Sequence, residues 1–319
     1  MLRAALFLCL SSLTVVAAAQ PRPADQPASR PFVIGYSQCN RAEPWREQMD
    51  KDIKTAAETH PRLKLIQKDA QNDRARQMAH LREFIVAKVD AIIVSPLDVS
   101  LTLNVGEAYE AGIPVIVLDR RVNGDKYTCF IGGDNRLIAR EVGAWVTKQL
   151  GGKGTVVELK GLSTSPPAVE RTEPFREAIK GTDIRIVYDA DVEWLKDKAR
   201  EKMQAALARN PRPGSIRLVY AHNDPAAIGA FEAAKDAGRE KEMMFVGVDA
   251  LPHEGVAAVK AGILDATFEY PNGAKQAIDI VLAIADGKLG EVPKTIILGT
   301  RLFTKENVAA GGEEIKAKP

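Results

Sequence analysis

Cysteine is scarce in this chain, three in 319 residues, and so are aromatic side chains at 6% and histidines at four. So few thiols cannot frame a disulfide-stapled fold. Cys9 lies in the N-terminal stretch, and Cys39 and Cys129 sit near different strands, so both are expected to be unpaired, partly buried thiols. His60, His80, His222 and His253 show no paired metal-ligand spacing, so no metal is expected. Gly151-Gly152-Lys153-Gly154 leads into a strand instead of opening a helix, which makes it a turn and not a phosphate loop. Leu162-Ser163-Thr164 lacks the form of a nucleophile elbow, and no cofactor loop is found. Net charge is also missing: 44 basic and 42 acidic residues, interspersed, leave +2. Without a basic stripe there is no argument for nucleic acid.

What is present is a globular composition, 45% hydrophobic and 27% charged. Against a prior of about 150 residues per domain, the length suggests two domains. Residues 1–19 carry one charge, Arg3, then an apolar stretch through Val16 and the small residues Ala17-Ala18-Ala19. This reads as a cleaved secretory signal, too short in its apolar part for the roughly 20 residues of a membrane span. Residues 20–31 hold four prolines without apolar periodicity and read as an extended tether. The folded body is expected to begin at Phe32.

From Phe32 the pattern alternates between short apolar runs and longer segments of helical period, the mark of consecutive βα units and a parallel sheet. Strands are predicted at 32–36, 63–67, 91–95, 115–118 and 127–131, and again at 155–159, 184–188, 216–220, 244–248 and 265–268. Helices are predicted between them, including 45–58, 168–180, 194–209 and 226–238, with a last helix at 274–285 and a strand at 295–298. Several apolar runs stop at polar groups: Ile34–Tyr36 at Ser37-Gln38, Val115–Leu118 at Asp119-Arg120, Leu218–Tyr220 at His222-Asn223-Asp224, Phe245–Val248 at Asp249. In a parallel α/β sheet such ends open onto the crevice where ligands sit. Asp224 before Pro225 has the composition of a helix N-cap with proline in the first turn.

These tips, together with Trp45-Arg46, Gly133-Asp134-Asn135, Val157-Glu158-Leu159, Glu170-Arg171 and Gly247-Val248-Asp249, resemble the ordered motifs of the type I periplasmic sugar-binding proteins. The ribose-binding and galactofuranose-binding branches are the most similar, and the resemblance runs from Phe32 to about Leu302. Lac-repressor-type regulators share the fold, but here a signal replaces their DNA-binding headpiece. The resemblance implies two Rossmann-like α/β lobes with parallel sheets joined by a three-crossing hinge. It places 32–134 with 270–294 in an N-terminal lobe, and 135–269 with 295–319 in a C-terminal lobe.

The same resemblance implies a ligand set: Trp45, Arg46, Asp119, Arg120, Arg171, Trp194, Asn223 and Asp249, with Glu269 where the ribose branch has a hinge glutamine. A sugar offers hydroxyls along its edge and C–H faces above and below, so planar charged groups and aromatics are the residue types it needs. Cys39 and Asn40 follow the first strand and are candidates for the mouth of the site. Pro166-Pro167 departs from the family's small residues and could reshape one wall. The implied protein is a periplasmic receptor, acting as a monomer, that captures a monosaccharide and delivers it to an inner-membrane ABC permease. The alternative is a sensor docking on a chemoreceptor or a histidine-kinase ectodomain. Acid/base work by Asp119, Asp249 or Glu269 on a carbohydrate is a third reading, but each is as well explained as a hydroxyl acceptor.

Overall fold

The computed structural model describes residues 30–316, so the signal and all of the tether before Arg30 lie outside the described residues. Arg30 is tied to the body by a two-pronged ion pair with Asp90, both contacts 2.7 Å.

The first sheet has six strands in the order β11-β5-β4-β3-β1-β2. These are β1 (Phe32–Gln38), β2 (Leu63–Asp69), β3 (Ala91–Ser95), β4 (Val115–Leu118), β5 (Cys129–Gly133) and β11 (Thr295–Leu298). Every pairing within it is parallel. The central strands β3 and β4 are buried at every position, which is why they read as unbroken Ile/Val runs without alternation. Each such side chain contributes roughly 1.5–3 kcal/mol on burial. Helices α1 (Pro44–Glu58), α2 (Arg74–Val86) and α3 (Thr102–Glu110) are the crossovers. Asp73 caps α2 by accepting from the Arg76 amide at 3.0 Å.

The second sheet has seven strands in the order β13-β12-β10-β9-β8-β6-β7. They are β6 (Lys153–Lys160), β7 (Asp183–Asp191), β8 (Leu218–Ala221), β9 (Met244–Asp249), β10 (Ala266–Glu269), β12 (Thr300–Thr304) and β13 (Glu313–Ile315). The run from β7 to β10 is parallel, and β12 and β13 add antiparallel edges. Its helices are α4 (Asn135–Leu150), α5 (Pro166–Ala178), α6 (Lys196–Arg209), α7 (Asp224–Asp236) and α8 (Gly255–Lys260). Helix α9 (Ala274–Ala285) returns to pack on α1.

The chain therefore passes between sheets three times, near Asp134, near Tyr270 and at Gly299. The last crossing corrects the expected boundary. The resemblance places residues 295–298 in the C-terminal lobe, yet β11 pairs with β5 from Thr295↔Phe130 to Leu298↔Gly133 in the first sheet. Local pattern reveals a strand but not its distant partner. Two further expectations shift: α6 starts at Lys196, after Trp194, and the cap of α7 is Asn223, not Asp224. Cys39 and Cys129 are buried and unpaired; burial pushes the Cys129 thiol up to about 11, partly offset by Lys294. No helix among the described residues is long and apolar enough to cross a membrane.

Candidate functional site

The carboxyl ends of both sheets face one another across a small cavity lined from both lobes. From the first lobe, Trp45 and Arg46 enter it on the first turn of α1, which Pro44 starts with its preset φ. The Arg46 guanidinium is only 3% exposed and donates to Asp119 Oδ2 (2.8 Å), Ser95 Oγ (3.0 Å), Gln38 Oε1 (3.2 Å) and Glu43 Oε1 (3.2 Å). Four bonds leave it little free capacity, so its work is to hold Asp119. That residue directly follows β4 with φ 66°, a left-handed conformation an aspartate tolerates better than most side chains. Its second oxygen, Oδ1, accepts from the Tyr270 hydroxyl at 2.9 Å. Arg120, 1% exposed, donates Nη1 to the Leu97 carbonyl at 2.6 Å, while its Nε is buried without a partner.

From the second lobe, Arg171 on α5 donates Nε to Asn135 Oδ1 at 2.8 Å and Nη1 to the His222 carbonyl. Its guanidinium carbon lies 4.5 Å from the centre of the Tyr270 ring and 5.5 Å from that of Trp194. Cation–π contact thus adds to the hydrogen bonds that aim it. Asn223 has two duties. Its Oδ1 caps α7 by accepting from the Ala226 amide (3.2 Å), and its Nδ2 donates to the Trp194 carbonyl (3.0 Å). Trp194 has φ 69° and a buried Nε1 with no partner. Asp249, at the end of β9, has φ 128° and accepts no side-chain hydrogen bond from the described residues. Burial holds its carboxyl well above the ordinary range, opposed by Arg171 and reinforced by Asp224 and Glu254.

The ring of Trp194 rests on Gly161, where an added Cβ would lie 2.1 Å from an indole carbon. Gly161→Ala is therefore expected to drive the indole out of its seat. Because Gly161 and Trp194 both lie in the second lobe and the first is untouched, tryptophan fluorescence should show Trp194 moving into water with the rest of the chain folded; an unchanged spectrum refutes this seating.

The structure thus brings together Trp45, Arg46, Asp119, Arg120, Arg171, Trp194, Asn223 and Asp249. Glu269 is not among them, and its expected place in the cavity is corrected. It ends β10, half-buried, and lines an adjoining groove with Gln48, Asp52, His253 and Asn272, which shares Trp45, Asp249 and Tyr270 with the cavity. The next residue, Tyr270, enters the cavity instead. A strand's side chains alternate, so a reading shifted by one residue selects the wrong face. Glu43, Pro167 and Tyr270 are the cavity residues missed or only partly read. Tyr270 binds both lobes, since Trp45 Nε1 donates to its carbonyl at 2.7 Å and Asn135 Nδ2 lies 3.4 Å from its hydroxyl. Cys39 sits behind Arg120, with 3.8 Å from Nη1 to Sγ, and Asn40 is spent on Glu43 and Asn72; neither lines the cavity. Among the described residues no group of His, Cys, Asp or Glu is placed to hold a metal ion.

Behind Asp249, burial and the neighbouring Asp224 charge push Glu254 up to about 7, and its Oε2 has no partner. A carboxyl raised from 4.5 to about 7 favours the fold while protonated. That advantage is lost as pH rises through this window and is gone above it. Glu254→Gln is expected to leave stability unchanged near pH 4.5 and to raise it at pH 8, by up to about 3 kcal/mol. Melting temperatures of both proteins across this range provide the check.

A family model described as "periplasmic binding protein domain" matches residues 34–289. The chain belongs to the periplasmic binding protein family. Among its curated relatives, the galactofuranose-binding protein YtfQ of Escherichia coli is 32% identical over 276 residues, covering 84% of this chain and 86% of that protein. The ribose import binding protein RbsB of Bacillus subtilis is 28% identical over 288 residues, covering 89% and 91%. Among solved structures, the fructose-binding periplasmic domain of a hybrid two-component system superposes with a TM-score of 0.82 at 39% identity, over 88% of this chain and 93% of that one. Two α/β lobes with largely parallel sheets are the architecture of this periplasmic binding protein, as the motifs imply.

Proposed function

We propose that this periplasmic binding protein is an exported receptor that captures one neutral monosaccharide between its lobes and delivers it to an inner-membrane ABC importer. The single observation that carries the reading is the set of unmet polar groups facing one small cavity from both lobes. Arg120 Nε and Trp194 Nε1 are buried donors without acceptors, and the Asp249 carboxyl lines the same cavity. A buried group left unmade costs about 1–3 kcal/mol, so a guest that completes all of them binds with that gain. Glu43, Asp119 and Asp249 share the cavity with Arg46, Arg120 and Arg171, so carboxyl acceptors and guanidinium donors are both at hand for a sugar's hydroxyls. Trp45, Trp194 and Tyr270 supply apolar faces for C–H groups. The ligand roles of the assembled residues follow from this, with Asp119 and Arg120 on one side of the sugar and Arg171, Asn223 and Asp249 on the other.

The second lobe's contacts are made only when the lobes are together, so a bound sugar shifts the population towards the closed form. The site is complete within one chain, so a single copy suffices. The relatives named for ribose and galactofuranose support monosaccharides in pyranose or furanose form. The likeness to a two-component system's periplasmic domain favours a second reading, in which the closed form signals to a membrane sensor.

A thermal-shift screen of the mature chain against pentoses, hexoses, ketoses and inositols tests capture. A sugar at 100 times its Kd should stabilise the chain by about 2.7 kcal/mol. If no neutral sugar or polyol in the panel raises the melting temperature, the reading fails.

A further inference from the structure

The loop that carries Asp249 is held by a residue that does not touch the cavity. Asp224 is 0% exposed and lies outside the cavity lining. Its Oδ2 accepts from the Ala250 amide at 2.7 Å and its Oδ1 from the Thr267 hydroxyl at 2.6 Å. Ala250 immediately follows Asp249, and the two have φ 54° and 128°, conformations that residues with side chains rarely adopt. A free loop would relax out of them. Room for the carboxylate is provided by glycines, since a Cβ at Gly247 or Gly255 would come within 2.2 Å and 1.9 Å of its two oxygens. The carboxylate also sits in the first turn of α7, where the helix dipole favours negative charge. The slot, the two donors and the unusual backbone all converge on one carboxylate.

We propose that Asp224 is a positioning residue that fixes the direction of the Asp249 carboxylate by clamping the Ala250 amide. This rests on the cavity's being a sugar site, and it concerns how the site is kept in shape before a sugar arrives. An asparagine can turn its amide so that Oδ1 accepts from Ala250 and Nδ2 donates to the Thr267 hydroxyl. Asp224→Asn should therefore preserve the clamp, and Asp224→Ala should release it.

Two measurements test the clamp. Without any ligand, hydrogen exchange at the Ala250 amide should quicken at least about ten-fold in Asp224→Ala relative to wild type and return towards wild type in Asp224→Asn. Equal exchange in all three proteins overturns the proposal. With D-ribose, D-galactose and D-fructose as probes, Asp224→Ala should weaken binding about ten-fold, while in an Asp249→Ala background it should cost no more than about two-fold. Losses that multiply in the double variant overturn the proposal, because they mean Asp224 acts independently of Asp249. Should no sugar or polyol of the thermal-shift panel bind wild type while the exchange result holds, the function reading fails and the clamp stands.

Discussion

Arg171→Ala is expected to weaken sugar binding by at least about a hundred-fold, on the ground that its guanidinium can offer a sugar two charge-assisted hydrogen bonds worth roughly 1.5–3 kcal/mol each. Arg171 is 2% exposed and is held on three sides, by Asn135, by the His222 carbonyl and by the Tyr270 ring. It opposes the burial that pushes the Asp249 carboxyl upwards, so without it that carboxyl is more readily protonated and loses strength as an acceptor. The variant thus loses a donor fork and weakens the acceptor opposite. Arg171→Lys should rescue little, because an ammonium cannot reproduce the planar fork that spans Asn135 and His222. Isothermal titration with whichever sugar stabilises the wild type decides the matter. Binding within a few-fold of wild type in Arg171→Ala would remove Arg171 from the site.

Much of this arrangement was legible because parallel strands end on one edge of their sheet, so polar residues after β4, β8 and β9 had to meet a common crevice. That argument located Asp119, Asn223 and Asp249 without knowledge of side-chain direction. It failed where direction decides. Glu269 and Tyr270 are neighbours at the end of β10, and only the pleat determines which of them faces Asp119. Arg46 reaches the cavity beside Trp45 as expected, but local sequence does not reveal its bonds to Asp119, Ser95, Gln38 and Glu43, which lie on separate segments. The Asn223-Asp224-Pro225 run offers two capping residues in succession, and the local sequence cannot choose between them. The choice is made at a distance, since Ala250 and Thr267 draw Asp224 away and leave Asn223 to cap. The Gly299 crossing was hidden for a similar reason: β11 finds β5 across more than half the chain.

Asp119→Ala is expected to differ from Arg171→Ala by damaging the empty protein as well as binding. Asp119 is the shared acceptor of Arg46 and Tyr270, and Arg120 Nε lies 3.8 Å from it. Both arginines are at most 3% exposed, so neither can recover its loss in water. Breaking one member of such a buried group costs roughly 3–5 kcal/mol. The left-handed backbone adds about 1–2 kcal/mol, because alanine lacks the local hydrogen bonding that lets aspartate adopt φ 66°. Asp119→Asn separates charge from shape. It keeps an acceptor for Arg46 or Tyr270 and tolerates the same backbone, so it should lose binding through weakened donors while keeping most of the apo stability. Urea denaturation without ligand is the measurement. The midpoint is expected to fall far for alanine and modestly for asparagine, and to move little for Arg171→Ala, whose lost partners are uncharged apart from Asp249. Equal midpoints for wild type and Asp119→Ala would mean that Arg46 and Arg120 are stabilised by something other than this carboxylate. The Tyr270 bond makes the loss reach further, because it joins the first lobe to the hinge. Cutting it should shift the empty protein towards the open form, detectable as a larger radius of gyration in solution scattering.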